Sequence, residues 1–147
     1  MEEKENLRWG MVFRQTSSEV FRIFKKRIRE QAPVQLTIDQ YALLLSLNKQ
    51  EDEVIQKNMA EAMGKKQSAL IKLIDSLEKK KLIKRIVDTN DRRKNILTIT
   101  KKGEHIMKQY MEIESVLICE LQQEIPQAEL DNFHRIVSLI QAKAKKM

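Results

Sequence analysis

Asp91, Arg92, Arg93 and Lys94 place one carboxylate and three consecutive cations in four residues. Nothing in that set performs covalent chemistry. Its chemistry is anion recognition: guanidinium and ammonium groups bind phosphate oxygens, and a cationic prong suits a narrow negative groove such as the minor groove of DNA. A second set, Lys65, Lys66, Gln67, Ser68 and Lys72, stands earlier in the chain. A glutamine can pair bidentately with adenine, and lysines reach guanine acceptors or phosphates. Each set taken singly reads more readily as a solvated surface, because exposed turns and outward helix faces collect lysine and arginine.

The elements that must position these residues favour the first reading. Two β-rich runs, Leu82–Val87 and Ile96–Ile99, flank the cationic tip, and Asn90-Asp91 favour a turn between them. The pattern predicts a β-hairpin with a positive far end. Before it, Lys65–Ser68 opens a helix that buries Leu70, Leu73, Ile74 and Leu77 and presents Lys65, Lys66, Ser68, Lys72, Ser76 and Lys79 on its other face. A short helix over Ile55–Met63, closed by Gly64, precedes that one. Two helices joined by a tight turn form a helix-turn-helix whose second helix lies across the major groove, and a basic hairpin directly after it adds a wing.

Longer helices lie on both sides. Residues 7–31 carry Leu7, Met11, Phe13, Ser17, Val20, Phe21, Phe24 and Ile28 at three- and four-residue steps. Thr37 and Gln40 have the form of a reciprocal cap opening a second helix, with Tyr41, Leu44, Leu45 and Leu47 as its apolar stripe. Asn48–Glu53 is a polar connection. Thr100 caps a fifth helix over 101–124 with Ile106, Tyr110, Ile113, Leu117 and Leu121 in register. Pro126 opens a last helix that turns Leu130, Phe133, Val137 and Ile140 inward and ends in Lys143, Lys145 and Lys146. A helix of about 25 residues projects beyond a small winged-helix core, so its apolar stripe requires a partner, and homodimerisation is the simplest one.

The predicted fold class is therefore mainly α with a small β-wing: a winged helix-turn-helix plus long N- and C-terminal dimerisation helices. The predicted domains are residues 1–35 for the first dimerisation helix, 36–100 for the DNA-binding winged helix-turn-helix, and 101–147 for the C-terminal dimerisation helices.

Composition agrees. Three glycines and two prolines leave room for few interruptions of helix. The net charge of +7 is unevenly spread: residues 65–102 hold thirteen basic and four acidic residues, and the remainder is slightly acidic. A concentrated basic segment is the electrostatic footprint of a polyanion partner, here double-stranded DNA. No apolar run approaches the ~20 residues that span a bilayer, and the acidic amino terminus lacks a signal-peptide core, so a cytoplasmic location without membrane association is expected. The single cysteine, Cys119, excludes an internal disulfide and reads as a small buried hydrophobe. His105 and His134 lie on different predicted helices and form no metal-ligand cluster. No nucleophile motif or phosphate-cradling loop is present, so neither an enzyme nor a cofactor is expected.

Asp91-Arg92-Arg93, followed by Ile96-Leu97-Thr98-Ile99-Thr100-Lys101-Lys102-Gly103, is similar to the wing tip and next-helix entry of the MarR family of bacterial transcriptional regulators. Leu36-Thr37 with Gln40, and Leu73–Glu78 before Leu82-Ile83, also fit, and the resemblance covers nearly the whole chain. It implies a homodimeric regulator, most often a repressor, on a pseudo-palindromic operator with half-sites about 10 bp apart. It implies that Arg93 enters the minor groove held by Asp91, while Arg92 and Lys94 contact phosphates. A carboxylate two residues away restricts a long side chain, which lowers the entropy lost on entering the groove. It further implies a small aromatic or phenolic effector between the dimer helices and the reading head, with Trp9, Phe13, Phe24 and Tyr41 as candidate wall residues. Aromatics at helical spacing are more often plain core, and Lys25-Lys26-Arg27, which could hold an anion, reads more readily as a solvated helix face.

One residue departs from the family pattern. Where the family usually has glycine, at the left-handed exit from the recognition helix, this chain has Lys81. A non-glycine residue at positive φ costs about 1 kcal/mol, so either the turn differs or that cost is tolerated. Two other classes stay open: an effector-independent architectural protein, with a specific-to-random affinity ratio near unity, and a helical interaction protein whose basic segment meets an acidic partner.

Overall fold

The computed structural model describes residues 8–49, 54–55, 63–87, 90 and 95–147. In chain order the elements are α1 (Trp9–Gln31), α2 (Ile38–Lys49), β1 (Val54–Ile55), α3 (Gln67–Lys79), β2 (Ile83–Val87), β3 (Asn95–Ile99), α4 (Lys101–Leu121) and α5 (Gln127–Lys145). They fall into two compact units, Met1–Glu114 and Ser115–Met147. Among the described residues no helix is long and apolar enough to cross a membrane.

The first unit is built by caps and by one buried tyrosine. α1 stops where Ala32 turns to extended backbone ahead of Pro33; the Ile28 carbonyl accepts from the Ala32 amide (2.9 Å), and the Gln35 side-chain amide donates to the carbonyls of Ile28 (3.1 Å) and Ala32 (3.0 Å). α2 starts on the reciprocal cap its sequence predicts: the Gln40 amide donates to Thr37 Oγ1 (3.1 Å), and the Thr37 amide donates to Gln40 Oε1 (2.9 Å). Tyr110, fully buried on α4, donates its hydroxyl proton to the Val34 carbonyl (2.8 Å) and accepts from the Leu36 amide (2.6 Å), which fixes the α1–α2 connection. Tyr41 packs between Phe24 and Tyr110, at ring separations of 5.8 and 5.3 Å, and donates to Glu114 Oε2 at 2.5 Å. Leu43, Leu44, Leu70, Ile74, Leu77, Leu82 and Ile83 are among the residues that extend the core.

Three strands form one antiparallel sheet in the order β1-β3-β2. β2 and β3 make the predicted hairpin, with Arg85 opposite Leu97 and Val87 opposite Asn95. β1 corrects the expected helix start at Ile55: Val54 and Ile55 pair with Leu97 and Ile96 and cover the free edge of β3. Two β-branched residues beside an open edge gain ladder hydrogen bonds that a short helix start would not supply. Residues 56–62 of that expected helix lie outside the described residues. Gly64 takes the left-handed conformation (φ 62°) that a helix-closing glycine adopts.

Smaller expectations also change. Ser76, placed on the solvated face of α3, is half-buried, because it accepts from the Gln40 side-chain amide (2.9 Å) and donates to the Leu73 carbonyl (2.7 Å). Pro126 is the N-cap of α5 rather than part of its first turn. Cys119 is exposed, not buried. α4 ends at Leu121, which is exposed together with Val116. No residue of α5 is buried: Phe133 and Ile140 are exposed, and Leu130 and Val137 are half-buried.

Candidate nucleic-acid interface

α3 forms because its apolar residues recur on one side. Leu70, Ile74 and Leu77 are fully buried, each worth about 1.5–3 kcal/mol relative to exposure. That burial turns the opposite side outward. Gln67 and Ser68 occupy the first turn, Lys72 follows one turn after Ser68, and all three are exposed. Lys66 is the exposed N-cap residue and makes no side-chain capping bond. Lys65 sits differently from its neighbours. It is half-buried, and its ammonium pairs with Asp39 Oδ2 at 3.1 Å, joining the entry to α3 to the first turn of α2.

The helix leaves through a strained turn. Lys81 has φ 63°, so the left-handed exit is kept without glycine. Two backbone bonds hold it: the Lys81 amide donates to the Glu78 carbonyl (2.9 Å), and the Leu82 amide reaches back to the Leu77 carbonyl (3.0 Å). Leu77 and Leu82 are both fully buried, which anchors the turn at each end. Thr100 locks it from the other side. Its hydroxyl donates to the Lys81 carbonyl (2.7 Å), its amide donates to the Leu82 carbonyl (3.0 Å), and the same hydroxyl accepts from the Gly103 amide (3.0 Å) to cap α4. Gly103 is required by this close approach, since a Cβ there would lie 2.1 Å from the Leu82 carbonyl oxygen.

Sequence reasoning missed the group that ties the hairpin to α3. Arg85, in the middle of β2, places Nη2 2.6 Å from Asp75 Oδ1 and Nη1 3.7 Å from Glu78 Oε1. Its backbone amide also donates to Glu78 Oε2 at 3.2 Å. Arg85 is 24% exposed, and Asp75 and Glu78 are 56% and 41% exposed. Ion pairs that open to water add only about 0–1 kcal/mol each, so their main effect is geometric. Asp75 and Glu78 are neighbours on a helix face and Arg85 faces them across a turn, a register that only the strand pairing reveals.

Asp91, Arg92, Arg93 and Lys94 lie outside the described residues, in the segment that joins β2 to β3. The four aromatics proposed for an effector wall form two separate pairs. Trp9 and Phe13 meet edge to face at 5.6 Å on an exposed part of α1, while Phe24 and Tyr41 meet in the buried core. None of them lines the open cavity of about 470 Å³ between α1 and the α1–α2 connection, whose walls include Phe21, Ile28 and Leu36 with the cations Lys25 and Arg29. Ten residues of helix, about 16 Å of rise, lie between Phe13 and Phe24, so within one chain the two pairs do not form a single wall. Among the described residues no three His, Cys, Asp or Glu side chains gather where a metal ion could sit.

Residues 36–94, which contain α2, α3 and β2, match the family model described as the MarR family. Solved structures share the architecture over nearly the full chain. A MarR-family transcriptional regulator from Rhodococcus sp. RHA1 superposes with a TM-score of 0.77 at 21% identity, covering 89% of this chain and 90% of that one. The S. aureus MepR–DNA complex gives 0.79 at 22% identity, covering 92% and 97%. The transcriptional repressor CouR, bound to a 23-mer DNA duplex, gives 0.76 at 25% identity, covering 92% and 91%.

Proposed function

We propose that this chain is a MarR-family, sequence-specific DNA-binding transcriptional regulator that acts as a homodimer, most simply as a repressor. The observation that carries this reading is the outward face of α3. A helix whose apolar side is fully buried presents Gln67, Ser68 and Lys72 at its amino-terminal half, beside a hairpin strapped to it by Arg85. That is the arrangement needed to enter a major groove with a wing alongside. MepR and CouR, two proteins of the same fold, are both described on DNA. The concentration of positive charge in residues 65–102 supports the same partner.

In this reading Lys66, Gln67, Ser68 and Lys72 meet the major groove, Arg93 held by Asp91 enters the minor groove, and Arg92 and Lys94 contact phosphates. Lys65 is reassigned: paired with Asp39, it sets the entry to α3 and contributes less directly to base readout. The homodimer reading is supported by exposed apolar side chains toward both chain ends, including Trp9, Val12, Phe133, Ile136 and Leu139. A symmetric dimer then reads two inverted half-sites about one helical turn apart. The effector reading moves from the four aromatics to the cavity on α1, where Lys25 and Arg29 suit a carboxylate or phenolate and Phe21, Ile28 and Leu36 suit a ring. The reading is tested by fluorescence anisotropy with a duplex enriched from a random pool and with its scrambled version. A clear preference for the enriched duplex is expected, and equal affinities would falsify sequence-specific regulation.

A further inference from the structure

We infer that Arg85 is a positioning residue that holds the wing at a set angle to the recognition helix α3, so that both groove readers meet DNA as one body. This rests on the DNA-binding reading above. Strand alternation puts Ile83 and Arg85 on the helix side of β2, while Lys84 and Ile86 are exposed. Ile83 is buried in the core at the base of the hairpin, and Val87 beyond Arg85 is exposed. Arg85 is thus the outermost described residue of β2 that is tied to α3, and the segment carrying Arg93 begins only a few residues farther along.

The tie is specific to arginine. Asp75 and Glu78, one helical step of three apart, offer two carboxylates, and a planar fork places one nitrogen toward each while the Arg85 amide donates to Glu78 as well. A lysine carries the charge but has a single ammonium and no fork. The pairing has an electrostatic consequence also. Asp75 shares the outward face of α3 with Ser68 and Lys72, where an unneutralised carboxylate would repel phosphates. Arg85 therefore both braces the wing and masks an anion beside the reading surface.

The test uses the full chain with Arg85→Lys and, separately, Asp75→Asn, on a duplex enriched from a random pool. Hydroxyl-radical cleavage reports the minor-groove contacts of the wing, and dimethyl sulfate reports guanine N7 in the major groove. Both variants are expected to lose wing protection while keeping the major-groove pattern, with affinity falling roughly five- to a hundredfold. Their circular dichroism is expected to match that of the parent chain, which separates a positioning role from loss of fold. Unchanged footprints, or loss at both grooves in equal proportion, overturn the inference and leave the DNA-binding reading standing. A parent chain that shows no duplex preference overturns both.

Discussion

At Lys81 the chain accepts strain that a glycine would remove. Its positive φ is held by two backbone bonds and by the Thr100 hydroxyl, so the turn is imposed by its surroundings rather than by the residue. Lys81→Gly is expected to stabilise the fold by up to about 1 kcal/mol, read as a higher urea midpoint. A lower midpoint would show that the lysine side chain contributes more than the strain costs. Tyr41 gives a pH dependence. Burial, then the hydrogen bond and negative charge of Glu114, raise its hydroxyl pKa above the ordinary tyrosine value, and burial raises that of Tyr110 too. A raised native pKa means that the folded chain holds the proton more tightly than the unfolded chain. The stabilisation is therefore complete below about pH 10 and is lost as pH rises beyond it. Urea midpoints should fall with pH in that alkaline window, and less steeply in Tyr41→Phe; parallel declines in the two proteins would contradict this origin. For the wing, Arg93→Ala is expected to weaken operator binding by about 1–3 kcal/mol in an anisotropy titration, and unchanged affinity would remove its assigned role.

Among elements, helices were legible where local chemistry alone determines them. The Thr37–Gln40 cap, the stripe Leu70, Ile74 and Leu77, and Thr100 at the start of α4 each place an element within a few residues, because capping and burial act over one or two turns. β1 was not legible, since two residues carry no period and form a strand only because β3 offers an edge. The Arg85 tie was hidden for the same reason: it depends on the pairing of β2 with β3 and on how α3 crosses the sheet. The α3–β2 turn and the α4 start form one joint, with Gly103 at its tightest point. Gly103→Ala should destabilise the chain by about 1–3 kcal/mol, since the added methyl collides with the Leu82 carbonyl and backbone must shift. A thermal midpoint equal to that of the parent would contradict that closeness.

For the molecule as a whole, the homodimer reading makes the exposed apolar residues on α1 and α5 an assembly surface on which DNA reading depends. Leu139 is 59% exposed in the single chain. If it stayed exposed in solution, Leu139→Asp would change stability by no more than about 0.5 kcal/mol and leave mass unaltered. The homodimer reading instead predicts a shift from twice the 17.4 kDa chain mass to a single one in sedimentation, together with lost operator affinity. A parent chain that sediments as one copy would overturn it. The central claim is that two copies of α3 and its wing read a particular duplex. In vitro selection from a pool of random-sequence duplexes, at moderate salt, tests it most directly. The account predicts enrichment of an inverted repeat whose half-sites are centred about 10 bp apart; a pool that stays unenriched after repeated rounds would contradict it.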